Sequence, residues 1–305
     1  MIEHIVMSGG GPNGIIQLGL LKTLQDANFF RLSDLKGMYT TSAGAIIAAF
    51  ILLDVPLDDV CDYMIKRPWN KWLKMDLFAL NETKGLVDNK HLQEILAPFF
   101  KFKNIPLDIT LEDFYKRVPV DFHMCCAELK TFELVDLSHT THPTLPFLKA
   151  VSMTAAFVPL FTPILHDGKY YVDGGVRNNF PINFVPKTAA KDSVLAVNMM
   201  ASSADFDFEK MSIIDLFMHF TIKTILHVSE SSALHATALE YKYYAYVDVK
   251  SVMMFSAWAD FFEQEGYRQQ MLEQGVEFGK EFRNRWVCTE SSEDILKPAT
   301  NGAPN

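Results

Sequence analysis

Gly37-Met38-Tyr39-Thr40-Thr41-Ser42-Ala43-Gly44-Ala45 is the stretch of this chain around which the rest is organised. An apolar segment with β propensity ends at Ser42, and a long apolar run follows from Ala43 to Val55. This order predicts a strand, a sharp turn and a helix, with the serine hydroxyl projecting into a cleft, as in the nucleophile elbow G-x-S-x-G. Gly44 supplies the second glycine of that pattern, whereas Thr40 stands in place of the first. On the local pattern alone, Ser42 is equally an ordinary helix N-cap, so both interpretations stay open.

Length and composition indicate a globular chain with a sizeable core. The chain has 305 residues, of which 49% are hydrophobic and 21% are charged. Since no Pro-, Gly- or Ser-rich linker divides it, we expect one α/β domain over residues 1–288 and a disordered tail over residues 289–305. The net charge of −9 argues against general nucleic-acid binding.

Cysteine spacing and the N-terminal residues bear on the compartment. The four cysteines show no C-x-x-C spacing, which argues against a metal cluster or a disulfide framework and favours a reducing compartment. Residues 1–7 lack the basic start of a signal peptide, and the longest apolar run, residues 43–53, is too short to span a bilayer. We therefore expect a cytoplasmic protein without a transmembrane segment, which meets membranes peripherally.

A glycine loop follows the first predicted strand, Glu3 to Met7. It reads Ser8-Gly9-Gly10-Gly11-Pro12-Asn13-Gly14 and leads into a helix with one apolar face. A strand, a glycine loop and a helix start form an anion site when several backbone N–H groups point at one oxygen. Three interpretations stay open: a tight turn, a dinucleotide fingerprint G-x-G-x-x-G, and an oxyanion hole that serves Ser42. The fingerprint is weakened because its acid, Asp34, precedes a strand instead of ending one, and because Pro12 fits poorly in a phosphate turn.

Helical and strand patterns alternate along the rest of the chain. Helices are predicted over residues 57–65, 89–100, 110–117 with Thr110 as N-cap, 146–156, 213–239 and 262–286. Strands are predicted over residues 120–127, 131–137, 170–172, 193–199 and 243–249. Interleaved strands and helices predict an α/β layered fold around a largely parallel sheet.

Four separated stretches together resemble the patatin-like phospholipases, a family of lipid acyl hydrolases. The glycine loop over residues 9–14 matches that family's oxyanion loop, and residues 40–44 match its serine elbow. Residues 152–163 match its segment of small residues and prolines, and Asp173-Gly174-Gly175 matches its Asp-Gly-Gly motif. Order and spacing agree over residues 3–200, and a weaker helical continuation extends to about residue 286.

The resemblance implies a three-layer sandwich with helices on both faces of the sheet. It also implies a serine lipid acyl hydrolase of the phospholipase A type that needs no metal or cofactor. Ser42 is the implied nucleophile and Asp173 its base, with no histidine. The implied oxyanion hole comprises Gly9, Gly10, Gly11 and Gly14. The residues implied to support the elbow and the Asp-Gly-Gly motif are Thr40, Gly44, Gly174 and Gly175.

Two positions depart from the family pattern and keep alternatives open. Thr40 replaces the first elbow glycine, where a β-branched side chain crowds the turn, and Asn13 replaces a cation of the loop. A catalytically weak or silent lipid-binding protein therefore stays open, as does a nucleotide-binding oxidoreductase built on the glycine loop. A Ser-His-Asp triad is a further alternative, completed by His219, His227 or His235.

A basic and aromatic stretch, residues 66–74, predicts a contact with a membrane surface. Tryptophan favours the headgroup level of a bilayer, and basic side chains favour an anionic leaflet. Residues 251–258 are a second, weaker candidate, and the competing interpretation is that these aromatic residues belong to the core. The predicted partner is thus a lipid at a membrane surface, with protein partners unknown. The predicted membrane contacts are Trp69, Lys71, Trp72 and Lys74.

Overall fold

The computed structural model describes residues 1–72, 82, 84–202, 207–231, 237–250 and 255–287. Within these ranges, strands form one eight-stranded sheet with helices packed against it. The strands are β1 His4–Met7, β2 Gly37–Thr41, β3 Asp121–Glu128, β4 Leu134–Leu137, β5 Ile164–His166, β6 Lys169–Asp173, β7 Val194–Ser202 and β8 Tyr243–Lys250. The helices are α1 Gly14–Asp26, α2 Ala43–Leu52, α3 Leu57–Lys66, α4 Lys90–Phe102, α5 Leu111–Arg117, α6 Phe147–Thr154, α7 Gly175–Asn178, α8 Ile213–Ser231, α9 Phe255–Glu263 and α10 Glu265–Val287.

The sheet is parallel through its centre and antiparallel at one side. β3, β2, β1, β7 and β8 lie side by side and run in the same direction. β4 and β6 both pair with β3 in the antiparallel sense, and β5 pairs with β6 in the same way. The predicted α/β fold with a largely parallel sheet is confirmed.

Both faces of the central strands are buried, which makes the fold three layers thick. Ile5 and Met7 of β1 belong to the larger core cluster, whereas Val6 between them belongs to a second cluster. Because successive side chains of a strand point to opposite faces, the two clusters lie on opposite sides of the sheet. This explains why β1, which contains Ile5, Val6 and Met7 in succession, has a nearly continuous apolar sequence, as parallel strands covered on both faces do.

The register along β3 brings two distant parts of the chain together. β4 covers one edge of β3, so β2 and β6 must share the other edge, β2 first and β6 after it. Thr41, at the end of β2, is opposite Cys125, and Asp173, at the end of β6, is opposite Cys126. The residue after Thr41 therefore lies next to Asp173.

Several predicted elements differ from the observed ones at their ends. The second strand of the β3–β4 hairpin begins at Leu134 and not at Thr131, because the Glu128 carboxylate accepts the N–H groups of Lys130 and Thr131 and holds a turn there. The predicted helix cap at Thr110 is confirmed, since its side chain accepts the N–H of Asp113. The long helix predicted over 213–239 is described as far as Ser231, and the predicted tail over 289–305 lies outside the described residues.

The helices after residue 200 pack on the same core as the motif-bearing part. Met271, Leu272 and Phe282 of α10 and Trp258 of α9 are members of the larger core cluster. No helix in the described part of the chain combines the length and the apolar character needed to cross a bilayer.

Candidate active site

Ser42 occupies the sharp turn between β2 and α2. Its backbone has φ 56° and ψ −126°, in a region that side chains rarely adopt, so the turn is held by its surroundings. Gly44 is required two residues later, because a Cβ at this position would lie 2.7 Å from the Ser8 carbonyl oxygen. The predicted elbow is therefore the geometry of the chain here, and Ser42 is more than a helix cap.

Hydrogen bonds from neighbouring elements hold the elbow in place. The N–H of Ser42 donates to Thr154 Oγ1 over 3.0 Å, and the Thr154 hydroxyl donates in turn to the carbonyl oxygen of Cys125. Thr41 Oγ1 donates to the carbonyl oxygen of Asn178 over 2.8 Å. Thr154 had no individual role in the sequence analysis. The only signal was its place in the segment of small residues, which does not reveal a side-chain contact with Ser42.

Asp173 lies beside Ser42, as the register along β3 requires. Asp173 is 2% exposed, its carboxyl group lies beside the Ser42 side chain, and it accepts the N–H of Gly175 over 2.7 Å. Burial raises the pKa of the Asp173 carboxyl to about 6, while the neighbouring Ser42 side chain and the N–H of Gly175 oppose that rise. A base with a pKa near the working pH, within reach of a serine hydroxyl, suits proton abstraction.

The Asp-Gly-Gly motif gives Asp173 its surroundings. Gly174 lies so close to β3 that a Cβ would be 2.2 Å from the Cys125 carbonyl oxygen. Gly175 begins the short helix α7 and supplies the N–H that binds the Asp173 carboxylate. The two glycines thus have separate tasks, close packing against β3 and hydrogen bonding to the base.

The glycine loop lies against Ser42, but only part of it is available as an oxyanion hole. A Cβ on Gly9 would lie 3.1 Å from Ser42 Cβ. The N–H of Gly9 donates to Asn179 O over 3.0 Å, and the N–H of Gly14 donates within the loop to Gly11 O. Within the described ranges, the N–H groups of Gly10 and Gly11 have no hydrogen-bond acceptor. Of the four glycines predicted for an oxyanion hole, Gly10 and Gly11 thus have N–H groups available to a ligand, whereas those of Gly9 and Gly14 are engaged within the protein.

The two departures from the family pattern have different surroundings. Thr40 is fully buried in β2, and its hydroxyl donates to the His123 carbonyl oxygen over 3.0 Å. The Thr40 hydroxyl is thus satisfied by the neighbouring strand β3, while its effect on the elbow stays a prediction. Asn13 is buried in the loop and lines the cavity described next, so an uncharged side chain stands there.

Ser42, Asp173 and the glycine loop share one cavity of about 160 Å³. Apart from these groups the lining is mainly apolar and includes Ile46, Ile95, Phe157, Met199, Ile225 and Trp258. None of the described residues that line it is a histidine. His219 and His227 lie on α8, where His227 is exposed to solvent, and His235 lies outside the described residues. The cavity thus combines a serine, a carboxyl group and an apolar surface.

The predicted membrane contacts need correction. Trp69 is 1% exposed, lines the cavity, and donates its indole N–H to Met64 O over 2.8 Å, so its ring belongs to the core. Trp258 of the second candidate segment is buried in the same cavity, while residues 251–254 lie outside the description. Lys71 is exposed, whereas the Trp72 side chain and all of Lys74 lie outside the described residues.

The basic residues at the start of the predicted docking stretch are engaged within the protein. Lys66 lies 2.7 Å from the Asp62 carboxylate, and Arg67 donates to Glu94 O over 2.9 Å and stacks over the Trp69 ring.

As for metals, the described residues contain no group of three or more His, Cys, Asp or Glu side chains that could hold an ion.

Thr154 gives a test of how the elbow is held. Thr154→Val keeps the volume but leaves the N–H of Ser42 and the carbonyl of Cys125 without their partner. We expect a loss of about 1–3 kcal/mol in the free energy of unfolding and a fall of about tenfold in kcat on an acyl ester, with KM little changed. Thr154→Ser keeps the hydroxyl and is the matched control. If the serine variant loses as much kcat as the valine variant, the methyl packing matters and the hydrogen bonds do not.

Comparison with known proteins identifies the family. A family model described as Patatin-like phospholipase matches residues 5–185. A probable lipid hydrolase of Invertebrate iridescent virus 6 is 23% identical over 217 residues, which are 66% of this chain and 71% of that protein. An uncharacterized protein of Acanthamoeba polyphaga mimivirus is 25% identical over 185 residues, or 59% of this chain, and this chain spans only 60% of its length.

A solved structure gives a further likeness. VipD from Legionella pneumophila aligns over 90% of this chain and 67% of its own, with a TM-score of 0.48 and 18% identity.

The family assignment depends on the family model, which covers more than half of the residues and includes the glycine loop, the elbow and the Asp-Gly-Gly motif. The chain therefore belongs to the patatin-like phospholipase family.

Proposed function

We propose that this protein is a serine hydrolase that cleaves acyl esters of phospholipids or related lipids through a Ser42–Asp173 dyad. The observation that supports it best is that the Ser42 side chain and the buried carboxyl of Asp173 lie side by side in one largely apolar cavity. Serine is a poor nucleophile at neutral pH and needs a base beside it. The structure offers a carboxylate for that task.

The reaction has two halves. Ser42 Oγ attacks the ester carbonyl carbon as its proton passes to Asp173, and the carbonyl oxygen becomes an oxyanion facing the N–H groups of Gly10 and Gly11. One such donor contributes about 3 kcal/mol to the stability of the transition state. The intermediate then collapses, the alcohol departs with the proton from Asp173, and an acyl-Ser42 ester remains. Water, deprotonated by Asp173, attacks this ester, the bond from the acyl carbon to Ser42 Oγ breaks as Ser42 takes the proton back from Asp173, and the carboxylic acid leaves.

The cavity favours a fatty acyl group. Burying a methylene group stabilises a bound chain by about 0.8 kcal/mol, and the lining offers aliphatic and aromatic side chains from several helices. Polar groups are concentrated at the loop, Ser42 and Asp173, where an ester carbonyl has to lie. This distribution supports a lipid ester over a polar metabolite.

Covalent labelling tests the proposal. A fluorophosphonate probe should label the wild-type protein at Ser42, and the protein should release fatty acid from phospholipid in mixed micelles. Labelling should survive in His219→Gln and His227→Gln, since the dyad uses no imidazole. Absence of both labelling and hydrolysis, with fatty-acid binding retained, would establish a silent lipid-binding protein instead.

A further inference from the structure

α8 has two apolar faces, and only one of them is covered. Ile222, Ile225 and Leu226 line the catalytic cavity on its inner side. On its outer side the side chains of Phe217 and Phe220 are 60% and 72% exposed. We call the exposed residues the α8 stripe, and they comprise Ile213, Leu216, Phe217 and Phe220.

The stripe is continuous along the helix. Its four helical members stand at positions i, i+3, i+4 and i+7, which places them on one side over two turns. Ile213 is 65% exposed, and Leu216 is 36% exposed. Single exposed apolar residues are ordinary, but a contiguous row of large ones marks an interaction surface.

The position of the stripe identifies its partner as a lipid surface. Its outer side is one helix diameter, about 10 Å, from the side that lines the cavity with Ser42. An apolar layer resting on the stripe would therefore hold acyl chains next to the place where one of them reacts. A folded protein partner would gain the same apolar contact but would have no use for the cavity.

The charges around the stripe select the kind of lipid. Lys223 is the single lysine of α8, and the helix has no arginine, while Asp215 and Glu230 add negative charge and the whole chain carries −9. The Asp215 carboxylate is bound by the Ser212 hydroxyl and by the N–H of Phe255, so it does not interrupt the stripe. Such a surface has no attraction for anionic headgroups and matches a neutral, zwitterionic bilayer.

We propose that the α8 stripe docks this protein on zwitterionic lipid bilayers and that its phenylalanines enter the bilayer beside the catalytic cavity. This proposal rests on the proposed function, because docking on a bilayer is useful to a protein that hydrolyses lipid esters. Docking itself is measurable without turnover.

The test compares two phenylalanine sites of equal exposure. In the full chain, Phe217→Ser/Phe220→Ser removes the centre of the stripe. Phe102→Ser is the matched control, because Phe102 is 75% exposed at the far end of α4, about 15 Å along the helix from the cavity residue Leu92. Binding to phosphatidylcholine vesicles is measured by flotation, and thermal unfolding checks the fold of each variant.

We expect the pair to weaken vesicle binding by about a hundredfold, since each of the two aromatic rings contributes about tenfold, and Phe102→Ser to bind as the wild type does. Raising the salt concentration should leave wild-type binding unchanged, since apolar contact is not screened. In wild type and control, the ratio of vesicle hydrolysis to soluble-ester hydrolysis should be the same, and in the pair this ratio should fall.

Three results would overturn the proposal. The first is unchanged vesicle binding by the pair, and by Phe220→Lys if the pair does not fold. The second is binding that requires anionic lipid and disappears with salt, which would assign docking to basic residues elsewhere. The third is a wild-type dimer that the pair converts to a monomer without loss of vesicle binding, which would make the stripe a contact between copies. A protein that docks through the stripe but hydrolyses no ester would refute the proposed function alone.

Discussion

Ser42→Ala should abolish ester hydrolysis, with kcat lower by about 10⁴-fold or more, because no other group replaces the attacking oxygen. The substitution keeps the N–H of residue 42 that Thr154 binds, and alanine suffers no more than serine from the positive φ of the turn. We therefore expect a folded, inactive protein. The measurement is the rate of fatty-acid release from a phospholipid and from a soluble ester, beside thermal unfolding.

Ser42→Ala also tests whether Ser42 and Asp173 act as one unit. Asp173→Asn alone should also lose most activity, and combining it with Ser42→Ala should add almost nothing, because both residues serve one proton transfer. Substantial turnover by Ser42→Ala would assign the nucleophile to another residue. Losses that multiply in the double variant would mean that Asp173 acts in some other way than through Ser42.

Asp173→Asn should be inactive and yet more stable than the wild type at neutral pH. Burial raises the folded-state pKa of Asp173 to about 6 from an ordinary value of 3.8, so ionising this group is less favourable in the folded protein than in the unfolded chain. Wild-type stability should fall as pH rises from about 4 to about 6 and then level off. Asparagine has no such ionisation and still accepts the N–H of Gly175.

The size of the expected gain in stability follows from the same pKa shift of Asp173. One pKa unit corresponds to about 1.36 kcal/mol. The free energy of unfolding of Asp173→Asn should therefore exceed that of the wild type by about 1–3 kcal/mol above pH 6, and the difference should vanish below about pH 4. The pH profile of wild-type kcat/KM should rise through an apparent pKa of about 6, as the base loses its proton. An Asn variant that is less stable at pH 7 would show that the carboxylate holds the fold together and is not a strained base.

Local sequence was sufficient to predict the helix cap at Thr110 and the interleaved α/β order, and it offered the elbow as one of two interpretations of Ser42. These depend on near neighbours: the small residues after Ser42 and the hydroxyl three positions before the N–H of Asp113. The resemblance placed Asp173 beside Ser42. The physical reason for this contact, the shared edge of β3, involves pairing between strands far apart in the chain, which no local pattern encodes.

Because local patterns do not encode contacts made in the folded chain, the predictions for the membrane contacts and the glycine loop also had to be revised. The stretch containing Trp69 has the composition of a membrane anchor, but the partner of its indole N–H, Met64 O, is given only by the folded backbone. The glycine loop offered several N–H groups, and only the structure shows that Asn179 O takes the one from Gly9. The exposed face of α8 was missed because apolar residues on all sides of a helix predict burial on all sides.

The shared edge of β3 also has a consequence for folding. Ser42 and Asp173 come from two strands that meet only through a third, so a partly folded chain contains both residues but no catalytic pair. Long-range pairing of this kind forms late, after the entropy of closing large loops has been overcome. If the proposed dyad is correct, a newly synthesised chain is inert toward lipids, and hydrolysis begins only once β2 and β6 have both paired with β3.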